Sequence, residues 1–241
     1  MTKYIHELFK PARHPSELDD YFHAFNLPNI LNVLYWAKYF EMVKDIPGDI
    51  VECGIGRGRS LITILSLNEY YGCADPNAKI RKVYGLDSFE GFPEPKIEDS
   101  SPRNPKKGDW DASPNNQFLY TPENLEKILA KANINNLDQS RLEIIKGFFE
   151  STSANLDLKK ISILHLDGDL YESVKTPLIN LESKLAIGGI IVIDDFIIDN
   201  PDKDNESFPG ARKAINEFLA DRDDYELHKS IRGTPYLLKI R

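Results

Sequence analysis

The stretch that decides the fold is Val51-Glu52-Cys53-Gly54-Ile55-Gly56-Arg57-Gly58-Arg59-Ser60, where an apolar segment ends in an acid and three alternating glycines. A helical pattern follows over Ser60–Tyr71. A strand, a glycine turn and a helix let the backbone approach a nucleotide-like ligand closely, with helix N–H groups pointing at it. The stretch therefore predicts a ligand-binding turn at the edge of an α/β sheet.

The glycine spacing departs from the dinucleotide fingerprint G-x-G-x-x-G, which requires a glycine where this chain has Arg59. Gly58 instead completes E-x-G-x-G-x-G, with Glu52 leading, and this version is typical of S-adenosylmethionine (SAM) sites. The predicted SAM contacts in this stretch are Glu52, Gly54, Gly56 and Ser60. The alternative is a tight structural turn that binds nothing.

Composition narrows the class of protein. A chain of 241 residues with 41% hydrophobic content can bury one sizeable core. A formal net charge of −8 argues against a nucleic-acid scaffold. No apolar run reaches the roughly 20 residues that cross a bilayer, and Met1 to Pro15 has no apolar signal-peptide region. From the lack of such apolar runs we expect no membrane partner. Cys53 and Cys73 lack metal-ligand spacing, so we expect them to be reduced thiols in a cytoplasmic protein.

Strand-like and helical segments alternate after the glycine turn, which predicts a doubly wound, mostly parallel α/β sheet. The predicted strands are Asp49–Cys53, Lys82–Asp87, Arg141–Lys146, Ile161–Asp167 and Gly189–Asp194, and the predicted helices are Ser60–Tyr71, Pro122–Ala132, Ser173–Leu185 and Pro209–Asp221. Gly188-Gly189 is expected to end the helix before the fifth strand. Strands near Tyr225–Lys229 and Pro235–Ile240, linked through Gly233-Thr234, are predicted to form an antiparallel C-terminal hairpin.

Two segments lie outside this regular pattern and set the predicted domain organisation. Residues 1–45 form a helical N-terminal extension that either packs on the sheet or acts as a lid. Its aromatic residues are Tyr21, Phe22, Phe25, Tyr35, Trp36, Tyr39 and Phe40. Residues 46–241 form the SAM-binding domain, in which 91–120 is rich in proline and asparagine and has no period. A loop of that length is usually functional or disordered, so we predict a lid-like insertion.

Asp87 ends the second predicted strand, next to the strand that Glu52 ends. An open α/β sheet places its functional groups at the carboxyl ends of strands. An acid there accepts both ribose hydroxyls of a bound nucleoside, or alternatively caps the turn at Ser88–Gly91. We predict that Asp87 and Ser88 bind the nucleoside and that Gly147 and Phe148 flank its adenine.

Four more acids follow the fourth and fifth predicted strands, in His165-Leu166-Asp167-Gly168-Asp169 and in Asp194-Asp195. Carboxylates at adjacent strand tips repel one another unless a cation separates them, and Mg²⁺ prefers oxygen ligands. The best trio of ligands is Asp167, Asp194 and Asp195. Alternatively, Asp169 and Asp195 cap the helices that follow.

Glycine turn, ribose acid and aspartate cluster together describe metal-assisted O-methyl transfer. Methyl transfer from SAM is an in-line displacement, and an alcohol is a poor nucleophile at neutral pH. A metal on the hydroxyl lowers its pKa, and a nearby carboxylate takes the proton. His165 alternates with Asp167 along its strand. Because a lone histidine on a strand is more often a core residue, we expect a core role for His165 rather than a catalytic one.

The chain resembles the macrocin O-methyltransferase family, whose members methylate sugar hydroxyls on natural products. The matching stretches are Val51–Gly58, Leu86-Asp87-Ser88-Phe89-Glu90-Gly91-Phe92-Pro93, Gly147-Phe148-Phe149, His165–Ser173, Gly188-Gly189, Asp194-Asp195-Phe196 and Pro209-Gly210-Ala211-Arg212-Lys213-Ala214. The resemblance implies a class I SAM methyltransferase (Rossmann-like) fold and Mg²⁺ dependence. It places metal ligands at Asp167, Asp194 and Asp195, with Asp167 also a candidate base. The N-terminal helices and the loop Gly91–Tyr120 match no family stretch. In this family such parts shape the acceptor pocket and the oligomer, so whether the chain forms a homo-oligomer stays open.

We therefore expect a SAM- and Mg²⁺-dependent O-methyltransferase acting on a sugar hydroxyl of a small glycoside or polyketide. A catechol-type diol is the alternative acceptor. Asp167-Gly168-Asp169 also matches the D-x-D motif of nucleotide-sugar glycosyltransferases. That alternative function leaves the glycine turn and Asp194-Asp195 unexplained. Arg59 disfavours an NAD(P)-binding oxidoreductase, and the full set of acids disfavours a non-catalytic partner protein.

Overall fold

A computed structural model describes residues 27–74, 80–112, 119–134, 140–202 and 205–241. Its strands are β1 (Asp49–Cys53), β2 (Val83–Asp87), β3 (Leu142–Lys146), β4 (Ile161–Leu166), β5 (Leu185–Ile193), β6 (Tyr225–Lys229) and β7 (Pro235–Lys239). They form one sheet in the order β3-β2-β1-β4-β5-β7-β6. The first five strands pair in parallel, whereas β7 pairs antiparallel with both β5 and β6. The predicted sheet with its antiparallel C-terminal hairpin is confirmed.

Helices cover both faces of this sheet. They are α1 (Leu27–Met42), α2 (Arg59–Ala74), α3 (Pro122–Lys131), α4 (Phe149–Thr152), α5 (Tyr171–Leu181) and α6 (Pro209–Leu219). Buried side chains of α1, α2 and α3 pack together on one face, and those of α5 and α6 form a second apolar cluster on the other. Because both faces are covered, the central strands read as nearly continuous apolar runs, and all six residues of β4 are buried.

Helix α1 packs its aromatic side chains against the sheet. Tyr35, Trp36, Tyr39 and Phe40 are all at most 3% exposed. Helix α1 therefore belongs to the layer that covers the sheet, and the lid role of the N-terminal extension stays a prediction. The earlier aromatic residues Tyr21, Phe22 and Phe25 lie outside the described residues.

The prediction that Gly188-Gly189 ends a helix is wrong. Helix α5 ends at Leu181, a 3-10 turn spans Glu182–Lys184, and both glycines lie inside β5. Leu185 already pairs with Ile161 of β4, and the register shifts before Ile163 pairs with Ile190. The positive φ of Gly188 (+82°) accompanies this irregularity, so the glycines serve a bulged strand.

The order of the strands creates a crevice beside β1. Successive connections run from β1 to β2 on one side, whereas β4 pairs with β1 on the other. Open α/β sheets bind ligands where the strand order reverses, outside the carboxyl ends of the strands. Among the described helices, none has the length and apolarity to cross a bilayer.

Candidate active site

A cavity of about 660 Å³ opens at the carboxyl ends of β1, β2, β3 and β4. That volume is within the range of small-molecule sites, roughly 300–1,000 Å³. The predicted site residues that line it are Gly54, Gly56, Ser60, Asp87, Ser88, Phe148 and Asp167. Those outside its lining are Glu52, Gly147, Asp194 and Asp195. The structure thus joins most of the predicted SAM contacts to one of the predicted metal ligands in a single cavity.

Gly54 is required by close approach of two backbones. It has φ +100°, and a Cβ at this position would lie 1.9 Å from the carbonyl oxygen of Asp167. The end of β4 therefore runs directly against the glycine turn, and any side chain would push them apart. Gly56 has φ +50° but open space around it, so it serves the conformation of the turn alone.

Asp87 holds the glycine turn in place. Its Oδ2 accepts the N–H groups of Ile55 (2.8 Å) and Gly56 (3.0 Å), and its Oδ1 accepts that of Phe89 (2.7 Å). An ionised carboxylate has about four acceptor sites. Three backbone donors therefore leave Asp87 room for about one ribose hydroxyl rather than the two expected from the sequence.

Glu52 lies in the core, away from the cavity. Its Oε1 is 3.2 Å from Nδ1 of His165 on the neighbouring strand, and both side chains are at most 2% exposed. The edge of the Trp36 ring packs on the His165 ring, 4.8 Å between centroids. Burial lowers the pKa of His165, but the hydrogen bond to the Glu52 carboxylate and the charge of Asp167 together raise it more. Glu52 thus orders a buried polar pair beneath α1, and His165 is a core residue.

Three carboxyl groups at the ends of β4 and β5 are buried with only partial compensation for their charge. Burial, and then the charge of Asp194, raises the pKa of Asp167 to about 8. Burial raises the pKa of Asp169 to about 7, although Arg103 opposes it. Burial and the charges of Asp169 and Asp167 raise the pKa of Asp195 well above its usual range.

Asp195 shows this lack of compensation directly. Both of its side-chain oxygens are buried without a hydrogen-bond partner, although the backbone amide of Asp169 lowers its pKa somewhat. Helix α6 starts only at Pro209, so Asp195 does not cap it. An unsatisfied buried carboxylate among other acids suits a hard divalent cation, which supplies the missing positive charge.

The three predicted metal ligands are not arranged as a ready-made site. Within the described residues, no three His, Cys, Asp or Glu side chains converge as a metal cluster. Asp194 instead binds the guanidinium of Arg232, with Nη1–Oδ1 2.5 Å and Nη2–Oδ2 3.1 Å. The donor chemistry of Asp167 and Asp195 fits Mg²⁺, and Asp194 must exchange partners to join them.

Asp169 does not cap the helix that follows it, so that alternative is wrong. The N-cap of α5 is Leu170, and no side chain caps it there. The first helical N–H, that of Tyr171, is accepted by Oδ1 of Asp99 at 2.7 Å. Asp169 has a left-handed backbone (φ +63°) and lines the cavity. Strain of this kind is stored at functional sites, and the acid-glycine-acid pattern was its only sequence signal.

The insertion at 91–120 folds over the site wherever it is described. Its cavity-lining residues are Gly91, Phe92, Pro93, Glu94, Lys96, Lys107, Trp110 and Tyr120. Asp99 anchors it to α5 and also accepts the N–H of Lys96 at 2.8 Å. The guanidinium of Arg103 lies 5.0–5.5 Å from the ring centroids of Phe92, Trp110 and Phe208. These contacts give the segment its structure without any sequence period.

The family model described as Macrocin-O-methyltransferase (TylF) matches residues 37–226, which include the glycine turn and the acid cluster. The chain belongs to this family. The resemblance read from the motifs is thereby confirmed.

Three curated relatives are similar to the chain. A tetracenomycin 4'-O-methyltransferase acting on a dimethoxy-rhamnosyl derivative, from Streptomyces olivaceus, is 32% identical over 70% of the chain. Mycinamicin III 3''-O-methyltransferase from Micromonospora griseorubida is 27% identical over 78%, and demethyldecarbamoylnovobiocin O-methyltransferase from Streptomyces niveus is 30% identical over 75%. The matches span 60%, 66% and 61% of those relatives' own lengths, so the chain spans less than two thirds of each.

Solved structures give the same architecture. The O-methyltransferase NovP superposes with a TM-score of 0.66 at 26% identity, covering 87% of this chain and 79% of NovP. The calicheamicin methyltransferase CalS11 superposes with a TM-score of 0.70 at 23% identity, covering 99% of this chain and 90% of CalS11. The class I methyltransferase fold predicted from the sequence is confirmed.

Proposed function

We propose that this chain is a SAM-dependent O-methyltransferase whose acceptor is a sugar hydroxyl on a small glycoside or polyketide natural product. The observation that carries the proposal is the single cavity that joins the glycine turn and Asp87 to Asp167 and Asp169. Family membership supports it, as do the names of three relatives that methylate a rhamnosyl tetracenomycin, a mycinamicin and a novobiocin precursor.

The SAM half of the cavity is built from backbone and one acid. Gly54 and Gly56 give the turn the shape that faces the ligand, and Ser60 lies in the first turn of α2, whose N–H groups face the turn. Asp87 offers its remaining acceptor site to a ribose hydroxyl. Phe148, which lines the cavity beside Gly147 (φ +142°), flanks the adenine.

The acceptor half is built by the insertion. Phe92, Trp110 and Tyr120 line the cavity and present faces and edges on which a sugar or polyketide ring can pack. Four cationic residues line the cavity: Lys96 and Lys107 come from the insertion, and Arg57 and Arg59 come from the glycine turn. None of these four forms an ion pair with another described residue. This lining favours an acceptor that carries an acidic group near the methylated sugar.

The acid cluster activates the acceptor. We assign Asp167, Asp194 and Asp195 as the groups that would hold Mg²⁺. When bound, this ion lowers the pKa of the acceptor hydroxyl and so favours its attack on the methyl carbon. A side-chain oxygen of Asp167 accepts the hydroxyl proton, and the fixed contact between Gly54 and the Asp167 backbone keeps that carboxylate beside the SAM turn. Closure of the site by the aromatic insertion excludes water that would compete as acceptor.

The test is incubation with SAM, Mg²⁺ and a panel of glycosides and catechols, read by mass spectrometry for one added methyl group and for S-adenosylhomocysteine. We expect methylation of glycosides, loss of activity in Asp167→Asn, and full activity in the control Asp157→Asn, which changes an exposed acid outside the cavity. Binding of nucleotide sugars with no binding of S-adenosylhomocysteine, measured by thermal shift, would instead support the glycosyltransferase reading.

A further inference from the structure

Arg232 forms an ion pair with Asp194, one of the predicted metal ligands. It lies in the turn between β6 and β7, and its guanidinium binds both carboxylate oxygens of Asp194, at 2.5 and 3.1 Å. The side chains are 32% and 16% exposed, so the pair is partly shielded from water. A bidentate arginine–carboxylate pair is among the stronger polar contacts in proteins.

The backbone around Arg232 is fixed, so only its side chain is free to leave. The N–H of Gly233 donates to the carbonyl of Ser230 (3.0 Å), and the N–H of Ile198 donates to the carbonyl of Gly233 (2.9 Å). The second bond ties the hairpin turn to the segment just after Asp195. The Arg232 guanidinium also lies 4.9 Å from the ring centroid of Tyr35 on α1, which offers it a second partner.

Arg232 and a divalent cation need the same oxygens. The guanidinium fork uses both oxygens of Asp194, and its charge also acts on Asp167. A metal ion ligated by Asp194 must therefore displace at least one of these bonds. Exchange by rotation of a single side chain requires no movement of β5 or of the hairpin.

We propose that Arg232 is an internal cation that competes with the divalent metal for Asp194 and thereby sets the metal affinity of the site. This inference rests on the metal site of the proposed function. With Arg232 on Asp194, the acid cluster is partly neutralised and both carboxylate oxygens of Asp194 are occupied. With the metal on Asp194, the Arg232 side chain stays beside Tyr35.

The experiment is calorimetric titration of Mg²⁺ and Mn²⁺ into the full chain after removal of metal with EDTA. Arg232→Met should lower the Kd about tenfold, the scale of one charge-assisted pair lost from the competition. Arg232→Lys keeps the charge but not the fork, so we expect an intermediate Kd. The matched control is Arg222→Met. Arg222 also forms a bidentate pair, with Asp224 at 2.9 and 2.7 Å, and lies 4.9 Å from the Tyr225 ring, but it is not linked to Asp194.

The Arg222→Met control should bind metal with the same Kd as the wild type. In thermal unfolding, the metal-induced rise in Tm should be larger for Arg232→Met than for the wild type or the control. Metal binding that appears only in the Arg232 variants also supports the proposal. An unchanged or higher Kd in Arg232→Met overturns it, since Arg232 would then be neutral toward the metal or would support it. If Arg232→Met fails to fold, the Kd of Arg232→Lys decides in the same way.

Absence of binding in every variant overturns both the inference and the metal site. Methyl transfer measured in EDTA on the same preparations then shows whether the methyltransferase proposal stands without the metal. Loss of the binding signal in Asp195→Asn confirms that the titrated ion occupies the acid cluster.

Discussion

Replacing Gly54 by alanine tests the contact that places Asp167 beside the SAM turn. The added Cβ would lie 1.9 Å from the carbonyl oxygen of Asp167 and 2.8 Å from its carbonyl carbon. Both are backbone atoms of the segment that follows β4, so no side chain can rotate out of the way. Gly56→Ala is the matched control, because it also has a positive φ (+50°) but nothing within 4 Å of the new Cβ.

The two substitutions share one penalty and differ in the other. A left-handed backbone costs an alanine about 1–2 kcal/mol relative to glycine. Forcing an extra methyl group into a packed site adds about 1–3 kcal/mol. We therefore expect Gly54→Ala to lower the free energy of unfolding by about 2–5 kcal/mol and Gly56→Ala by about 1–2 kcal/mol.

Urea denaturation followed by circular dichroism measures both losses, with the midpoint and slope fitted separately. Calorimetry with S-adenosylhomocysteine should also show weaker binding for Gly54→Ala, since the turn and β4 must separate. Equal losses of unfolding free energy in the two variants would refute the reasoning, because the clash with Asp167 is expected in Gly54→Ala and not in Gly56→Ala.

Three further predictions concern single groups of the site. Asp87→Ala removes the acceptor of three backbone N–H groups and of a ribose hydroxyl, so binding of S-adenosylhomocysteine should weaken by at least about 1.5–3 kcal/mol by calorimetry; an unchanged Kd removes the ribose assignment. Glu52→Gln should lower the midpoint of thermal unfolding yet leave that Kd within about twofold, because Glu52 is buried against His165 outside the cavity. A large loss of affinity would return Glu52 to the SAM site. Excess EDTA should abolish methyl transfer while S-adenosylhomocysteine still binds, and full turnover in EDTA would contradict the metal-assisted mechanism.

Local sequence was sufficient to predict the glycine turn, the strands and most of the helices of this protein. Alternating glycines after an apolar run favour a turn with positive φ, and Gly54, Gly56 and Gly58 all adopt it. The predicted helix Pro122–Ala132 begins at Pro122 in the structure, where the side chain of the preceding Thr121 accepts the N–H of Asn124 at 3.2 Å. Apolar strand-like runs, and the acids placed at their ends, are likewise properties of neighbouring residues, so the sheet and the place of the candidate site could be predicted from them.

The tertiary structure decided which partners the polar groups take. Glu52 and His165 are 113 positions apart, Asp99 and Tyr171 are 72 apart, and Asp194 and Arg232 are 38 apart. Sequence patterns record the period of one segment, whereas these contacts depend on the order of strands in the sheet and on the path of the insertion. A carboxylate looks the same in sequence whether it binds a backbone turn, a buried histidine or an arginine. Its role is fixed only when folding brings one donor within about 3 Å, because a hydrogen bond forms only at that short distance.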